Sequence, residues 1–202
     1  MSPRPTTGHV RRPAILKAAA EVIAERGVIG TRIADVAERA GTSAPGVLYW
    51  FDTKDELLTE ALRFSDEQFY AQLHGELAQL EGPRQRLARI VELWPADGDG
   101  EVVLWMELWV RALRDPAVNA ARAGLDARWR EAIAEVVRDG QAAGEFSAVD
   151  PEEFALTLGA LMDGFAIQLA LRDPGVTAEQ VRGHCMALVD ERLGLEGVGD
   201  GV

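Results

Sequence analysis

Between Thr31 and Lys54 the sequence gathers hydroxyls, aromatic hydrogen-bond donors and cations without gathering the parts of a reaction centre. Thr31, Thr42 and Ser43 carry hydroxyls, Tyr49 and Trp50 can donate from a phenolic O–H and an indole N–H, and Arg32 and Lys54 carry positive charge. No nucleophile stands beside a base, the three histidines (His9, His74 and His184) are scattered, and no metal-ligand spacing or phosphate-cradling glycine loop occurs. Catalysis, a metal and a cofactor are therefore not expected. Donors and cations of this kind suit contacts to phosphate oxygens, which position a protein on a duplex.

Such groups need a scaffold that fixes their angle. Ile33, Val36, Ala37 and Ala40 recur at steps of three and four, so they share one face of a helix whose other face carries Arg32, Asp35, Glu38 and Arg39. Gly41 can end that helix in the left-handed conformation and turn the chain sharply. A second short helix over about residues 44–50 then brings Val47 back onto the small Ala37. Thr31 and Ser43 stand where an N-cap would satisfy the first free amides of each helix. The pair reads as a helix-turn-helix, with its second helix in the major groove and its first across the backbone; an ordinary hairpin in a helical core fits the same short pattern. Upstream, Ile15, Leu16, Ala19, Val22 and Ile23 form an apolar stripe on a helix from about Arg11 to Arg26, closed by Gly27. Downstream, Thr53 and Glu56 form a capping box for a long helix. Lys54 lies in that helix's first turn, where the dipole disfavours a cation, so a group outside the helix is expected to want the charge.

Other candidate contacts flank this unit. Residues 1–10, with two prolines and Gly8, read as a disordered arm, and Arg4, Arg11 and Arg12 could reach a minor groove or phosphates. The helix start at Thr31 would point free amides at a phosphate. The stretch Ala44-Pro45-Gly46-Val47-Leu48 has almost no polar base-reading side chains. Specificity is therefore expected from Thr42, Ser43, the backbone at Pro45 and Gly46, contact of Ala44 with thymine methyls, and DNA shape.

Taken in register, Ile15-Leu-Lys-Ala-Ala-Ala-Glu-Val-Ile-Ala-Glu-Arg-Gly27, Thr31 to Gly41, and Val47 to Phe51 with Lys54 and Leu57 resemble the TetR family of transcriptional repressors. The resemblance covers about the first 60 residues. It implies that Tyr49 and Trp50 occupy positions of phosphate-contacting aromatics and that Lys54 matches a phosphate-contacting lysine; of the two rings, one is expected to pack against the first helix and Tyr49 to face DNA. Positions 44–48 depart from the pattern of many relatives, which carry Lys or Arg, Gly, Thr and a base-facing Tyr there.

The chain has 202 residues and a net charge of −12. Residues 1–54 hold eight Lys or Arg against five Asp or Glu, a balance of +3, and the remainder holds 13 against 28, or −15. A mildly basic module on an acidic body suits a DNA reader with a separate sensor, although helical bacterial surfaces are often acidic in any case. No apolar run approaches the about 18 residues that cross a membrane and no signal core is seen, so a cytoplasmic protein is expected. The single cysteine, Cys185, excludes an internal disulfide and reads as a small hydrophobe.

Helices are predicted throughout the rest, over about 54–80, 83–94, 101–114, 116–142, 151–172 and 177–193, with starts marked by Pro83, Pro116, Pro151 and the Thr177/Gln180 pair. The fold class is all-α with about nine helices: a three-helix N-terminal bundle over 1–53, an antiparallel helical sensor and dimerisation domain over 54–195, and a disordered tail over 196–202. Phe69, Trp105, Met106, Trp109, Trp129, Met162 and Phe165 supply adaptable apolar surface for a small-molecule effector, and Asp163 and Gln168 are polar exceptions on an apolar helix. A cation held between tryptophan faces and Asp163 is one version. Leu108 to Pro116, Trp129, Gly144-Glu-Phe146, Asp150, Leu161 to Gln168 and Asp173-Pro174 are similar to the sensor domain of the repressor of glycine-betaine synthesis. That similarity implies the fold and a two-fold four-helix interface, to which Phe154, Leu158, Leu161, Leu169, Val181, Cys185 and Leu188 are assigned. The expected partners are a second copy, a palindromic double-stranded operator and an effector of unknown identity. An activator, or a helical dimer with no ligand, stays open.

Overall fold

The computed structural model describes residues 12–93 and 100–195. All regular structure among the described residues is helical: α1 (Arg12–Gly30), α2 (Ile33–Arg39), α3 (Ala44–Leu48), α4 (Lys54–Leu77), α5 (Pro83–Leu93), α6 (Gly100–Ala112), α7 (Pro116–Ala142), α8 (Pro151–Ala170) and α9 (Ala178–Arg192). The all-α reading and its helix count hold. The arm and the tail lie outside the described residues.

The chain divides into two compact units, Met1–Ala71 and Gln72–Val202. The division falls inside α4, whereas the sequence suggested it at residue 53. The first turns of α4 are part of the first unit's core: Leu57, Leu58 and Ala61 are buried there, and Glu60 accepts a hydrogen bond from Arg12 of α1 at 2.9 Å. In that unit the apolar stripe of α1 (Ile15, Leu16, Ala19, Val22, Ile23) is buried with Val36 and Ala37 of α2, Val47 of α3 and Phe51. Gly27 interrupts α1 at φ 71°, and one more turn carries the helix to Gly30.

In the second unit α7 and α8 form the most extensive helix pair, flanked by α6 on one side and by α5 and α9 on the other. The helix starts follow the chain's own caps. Asp115 accepts from the amides of Ala117 and Val118, Asp150 from Glu152 and Glu153, and Thr177 and Gln180 cap each other reciprocally. The Asp150 carboxyl is held below its ordinary range, first by the hydrogen bond from the Glu153 amide. At the end of α7, Gly140 lets the buried Phe146 ring lie against the helix backbone, a position that a side chain would fill.

One sequence expectation fails here. Pro151–Ala170 is long and apolar enough to cross a membrane by length and composition, with mean hydropathy 1.2 over its most apolar window. The helix instead packs on α7 and α9, and Asp163 sits within it. Only 33% of that window is buried, which leaves apolar surface on α8 beyond what its neighbours cover.

Candidate DNA-reading face and sensor site

The turn between α2 and α3 is built by backbone geometry. Gly41 sits at φ 67°, and the amides of Gly41 and Thr42 donate to the carbonyls of Glu38 (3.1 Å) and Ala37 (2.8 Å). These bonds satisfy the orphan carbonyls of α2 and set the exit direction of the chain. Ser43 then caps α3: its Oγ accepts from the Gly46 amide at 3.2 Å. Gly46 has to be small, because a Cβ there would lie 2.5 Å from Thr42 Oγ1. Ser43 and Pro45 are exposed, Thr42, Ala44 and Gly46 are partly so, and Val47 is buried.

Beyond α3, Tyr49 is 76% exposed and Trp50 40%, their rings edge-to-face at 5.4 Å. The phenol therefore stands out from the surface more than the indole does. Lys54 follows at the start of α4. There the Glu56 amide donates to Thr53 Oγ1 (3.0 Å), and the Glu56 carboxylate accepts from the Asp52 amide (2.8 Å), one residue earlier than a standard capping box. Arg32 is exposed at the N-terminus of α2.

Thr31 is corrected. It is 1% exposed, and its hydroxyl donates to the Gly27 carbonyl at 2.7 Å. The cap of α2 is supplied by the Asp35 carboxylate, which accepts from the Arg32 amide at 3.2 Å. The Thr31 side chain is occupied in the turn after Gly27 and is not available to a phosphate. Arg12 donates to Glu60, with its guanidinium 5.3 Å from the centre of the Phe51 ring, and Arg11 lies outside the described residues. Two residues that the sequence reading passed over also face outward: Leu48, 46% exposed and one helical turn beyond Ala44, and Lys17 on α1. The i, i+4 spacing from Ala44 was the available signal for Leu48.

In the second unit the residues assigned to one pocket separate. Trp105, Met106 and Trp109 of α6 are half-buried, and Trp129 of α7 is buried beside Gly159 of α8, where a Cβ would lie 3.9 Å from Trp129 Cδ1. Asp163, one turn beyond Gly159, has its carboxyl pushed up to about 6, chiefly by burial, then by the charge of Asp126, and against the opposing pull of Arg122 and Arg130. The Asp126 carboxyl is itself raised by burial while Arg122 donates to it. Asp126 went unnoticed in the sequence, although it lies three residues before Trp129 and so on the same side of α7. These groups form an aromatic-flanked cluster of two carboxylates and two guanidiniums where α7 meets α8.

Other members lie elsewhere. Phe69 belongs to the first unit, where its ring is edge-on to Tyr70 at 5.4 Å. Phe165 stacks on His184 of α9 at 5.6 Å, and Gln168 is exposed, because two and five residues on from Asp163 the helix has turned to other faces. Met162 lines a separate cavity with α5 and α9.

The assigned dimer surface also needs correction. Phe154, Leu158, Val181 and Cys185 are buried within the single chain, Val181 at 8% exposed and the other three at 1% or less. Burial alone pushes the Cys185 thiol up to about 11. Leu161, Leu169 and Leu188 stay partly exposed, alongside the exposed Leu156, Ala160, Gly164 and Ala187.

A capped reader helix held at a fixed angle to α2, followed by a helical unit with its own core, defines a helix-turn-helix regulator with a separate sensor domain. The chain belongs to the TetR family: residues 15–61 match the family of bacterial regulatory proteins, tetR family, and residues 83–194 match the BetI-type transcriptional repressor, C-terminal. It is 31% identical over 118 residues to the HTH-type transcriptional regulator BetI of Burkholderia lata, a match that covers 55% of this chain and 59% of that protein. Over most of its length it is similar to a protein from Saccharomonospora viridis solved in complex with choline (31% identity, TM-score 0.79, 90% of this chain and 96% of that one). A TetR-family structure from Rhodococcus sp. is likewise 31% identical, with TM-score 0.76 over 92% of this chain and 100% of that one.

Proposed function

We propose that the chain is a homodimeric repressor that holds a near-palindromic operator and releases it when a small organic cation enters the second unit. The observation that carries the DNA reading is the donor set outside α3: Tyr49, 76% exposed, and Lys54, unpaired among the described residues, follow a helix capped by Ser43. Ser43, Tyr49, Trp50, Arg32 and Lys54 hold phosphates, while Thr42, Ala44, Pro45 and Gly46 approach the groove. Two copies joined through the residual apolar surface of α8 and α9 would set two reader helices about one turn of DNA apart, which asks for a two-fold site. The protein would act in the cytoplasm, where its operator is.

The effector class is supported by the two raised carboxyls, Asp126 and Asp163, beside Trp129. Asp126 is already answered by Arg122, so Asp163, part-buried near an aromatic ring, is the carboxylate that a cation would meet. The choline complex of the Saccharomonospora viridis protein makes choline the first compound to test.

Operators selected from random duplexes, followed by fluorescence anisotropy, test this reading. The wild-type chain should bind as a dimer with strong salt dependence, and Lys54→Ala should weaken binding to every duplex by about tenfold. Tyr49→Phe, which removes one hydroxyl, should cost less. Choline or tetramethylammonium should quench tryptophan fluorescence and release the duplex. Unchanged affinity in both variants would refute the assignment of the reading face.

A further inference from the structure

Met162 is buried, yet it does not belong with the cluster of Asp126 and Asp163. It forms the floor of a cavity of about 400 Å³ between α5, α8 and α9, a volume in the range of small-molecule sites. The rest of the floor is also apolar: Ala166 from α8, and Val181 and Cys185 from α9, are at most 8% exposed. The void arises from side-chain size, because Ala166 and Ala178 are small where α8 and α9 line it. An apolar floor gives water few partners and suits an apolar guest.

Charge is confined to the mouth. Glu92, Glu179 and Arg182 line it, and Arg182 is turned to Glu92 across the α5–α9 gap at 3.6 Å. Glu92 is also met by Arg89 at 3.5 Å. The one guanidinium at the mouth is thereby engaged, and Glu179 is the carboxylate left without an ion pair among the described residues. An anionic end group would meet Glu179 with no free cation to hold it. A neutral or cationic end group would not.

We infer that this cavity is a second small-molecule site, separate from the cluster at α7 and α8, for a guest with an unbranched apolar body and an amine or hydroxyl end that rests at Glu179. It lies within the second unit and requires neither DNA nor an effector at Asp163.

The test uses the full chain and three probes of equal length, octylamine, 1-octanol and octanoate, titrated calorimetrically below their aggregation limits. Octylamine and octanol should bind saturably with one site per chain, the amine at least several-fold tighter, and octanoate weakest. Ala166→Phe should fill the cavity and abolish binding while keeping the thermal melt. If that variant fails to fold, Ala178→Leu at the cavity wall should weaken binding at least tenfold. Glu179→Gln should remove the preference for amine over alcohol, and Trp129→Phe should leave all three affinities unchanged. Non-saturable binding, or wild-type affinity in the filled variants, would overturn the site.

Discussion

Replacing Asp163 by Asn should make the ligand-free protein more stable at neutral pH while impairing its response to an organic cation. The Asp163 carboxyl is pushed from 3.8 up to about 6 by burial and by Asp126. The folded state then binds more protons than the unfolded state between those two values. Stability falls as pH rises through that window; the penalty is absent below about 3.8 and fully present above about 6. A shift of this size corresponds to about 3 kcal/mol at full value, and the partial exposure of the side chain screens it to about 1–2 kcal/mol. Arg122 and Arg130 pull the other way, but more weakly than burial and Asp126 together. Asparagine keeps the shape and removes the charge, so Asp163→Asn should gain about 1–2 kcal/mol at pH 7.5 and nearly nothing at pH 4. Urea denaturation of both proteins across that range isolates the term together with its coupling to Asp126, because titrating groups that do not interact with Asp163 cancel in the difference. A variant that is less stable at pH 7.5, or a difference that does not change with pH, would show that the two arginines outweigh burial and would remove the electrostatic case for a cation.

Three further outcomes follow from packing. Gly140→Ala gains about 1 kcal/mol of helix propensity but drives a methyl into the buried Phe146 ring, so overpacking should win and thermal denaturation should show a net loss of about 1–2 kcal/mol. Gly41→Ala forces a side chain into φ 67° at the α2–α3 turn; a loss of about 1 kcal/mol in chemical denaturation is expected, and no loss would mean that the turn relaxes to another conformation. Leu161→Glu places a charge on the partly exposed apolar surface of α8, and light scattering should find monomers for the variant and, if the proposed dimer forms, dimers for the wild-type chain.

The reach of the sequence differed between the two units, for physical reasons. Helix starts were legible because caps act locally: Pro116, Pro151 and Thr177 each mark an end within one or two residues of where it lies. The α2–α3 turn was legible through Gly41 for the same reason. Thr31 misled because a threonine ahead of a helix can cap it or turn its hydroxyl back to a carbonyl four residues earlier, and the choice depended on Asp35 taking the cap. The sensor residues misled because composition does not tell which face of α8 looks inward. Met162, Asp163 and Phe165 are near neighbours in sequence and serve three surroundings: a cavity with α5 and α9, a charged cluster with α7, and a ring stack on α9. Asp126 was missed because the importance of a carboxylate depends on the second carboxylate that approaches it.

The charge balance of the N-terminal module also changes meaning once pairs are formed. Of the six cations from Arg12 to Lys54, three are occupied inside the module: Arg12 by Glu60 at 2.9 Å, Arg26 by Asp35 at 2.8 Å, and Arg39 by Glu25 at 2.7 Å and Glu21 at 3.3 Å. The Glu25 carboxyl is held below its ordinary range, first by the hydrogen bond from Arg39. An arginine that leaves such a pair for a phosphate strands a carboxylate close to the same polyanion, so its net contribution to counterion release is small. Lys17, Arg32 and Lys54 have no ion pair among the described residues. With three effective cations per protomer, a dimer should show a slope of log affinity against log salt of about −5 from this module, against about −11 if all six acted. Lys54→Ala should therefore reduce the slope by about 2 through its two copies, while Arg39→Ala should leave it unchanged. Anisotropy titrations of one selected operator at several salt concentrations measure both variants directly. Equal slope changes would mean that the module's arginines exchange carboxylate for phosphate freely, and that the ion pairs in the folded module do not determine how it meets DNA.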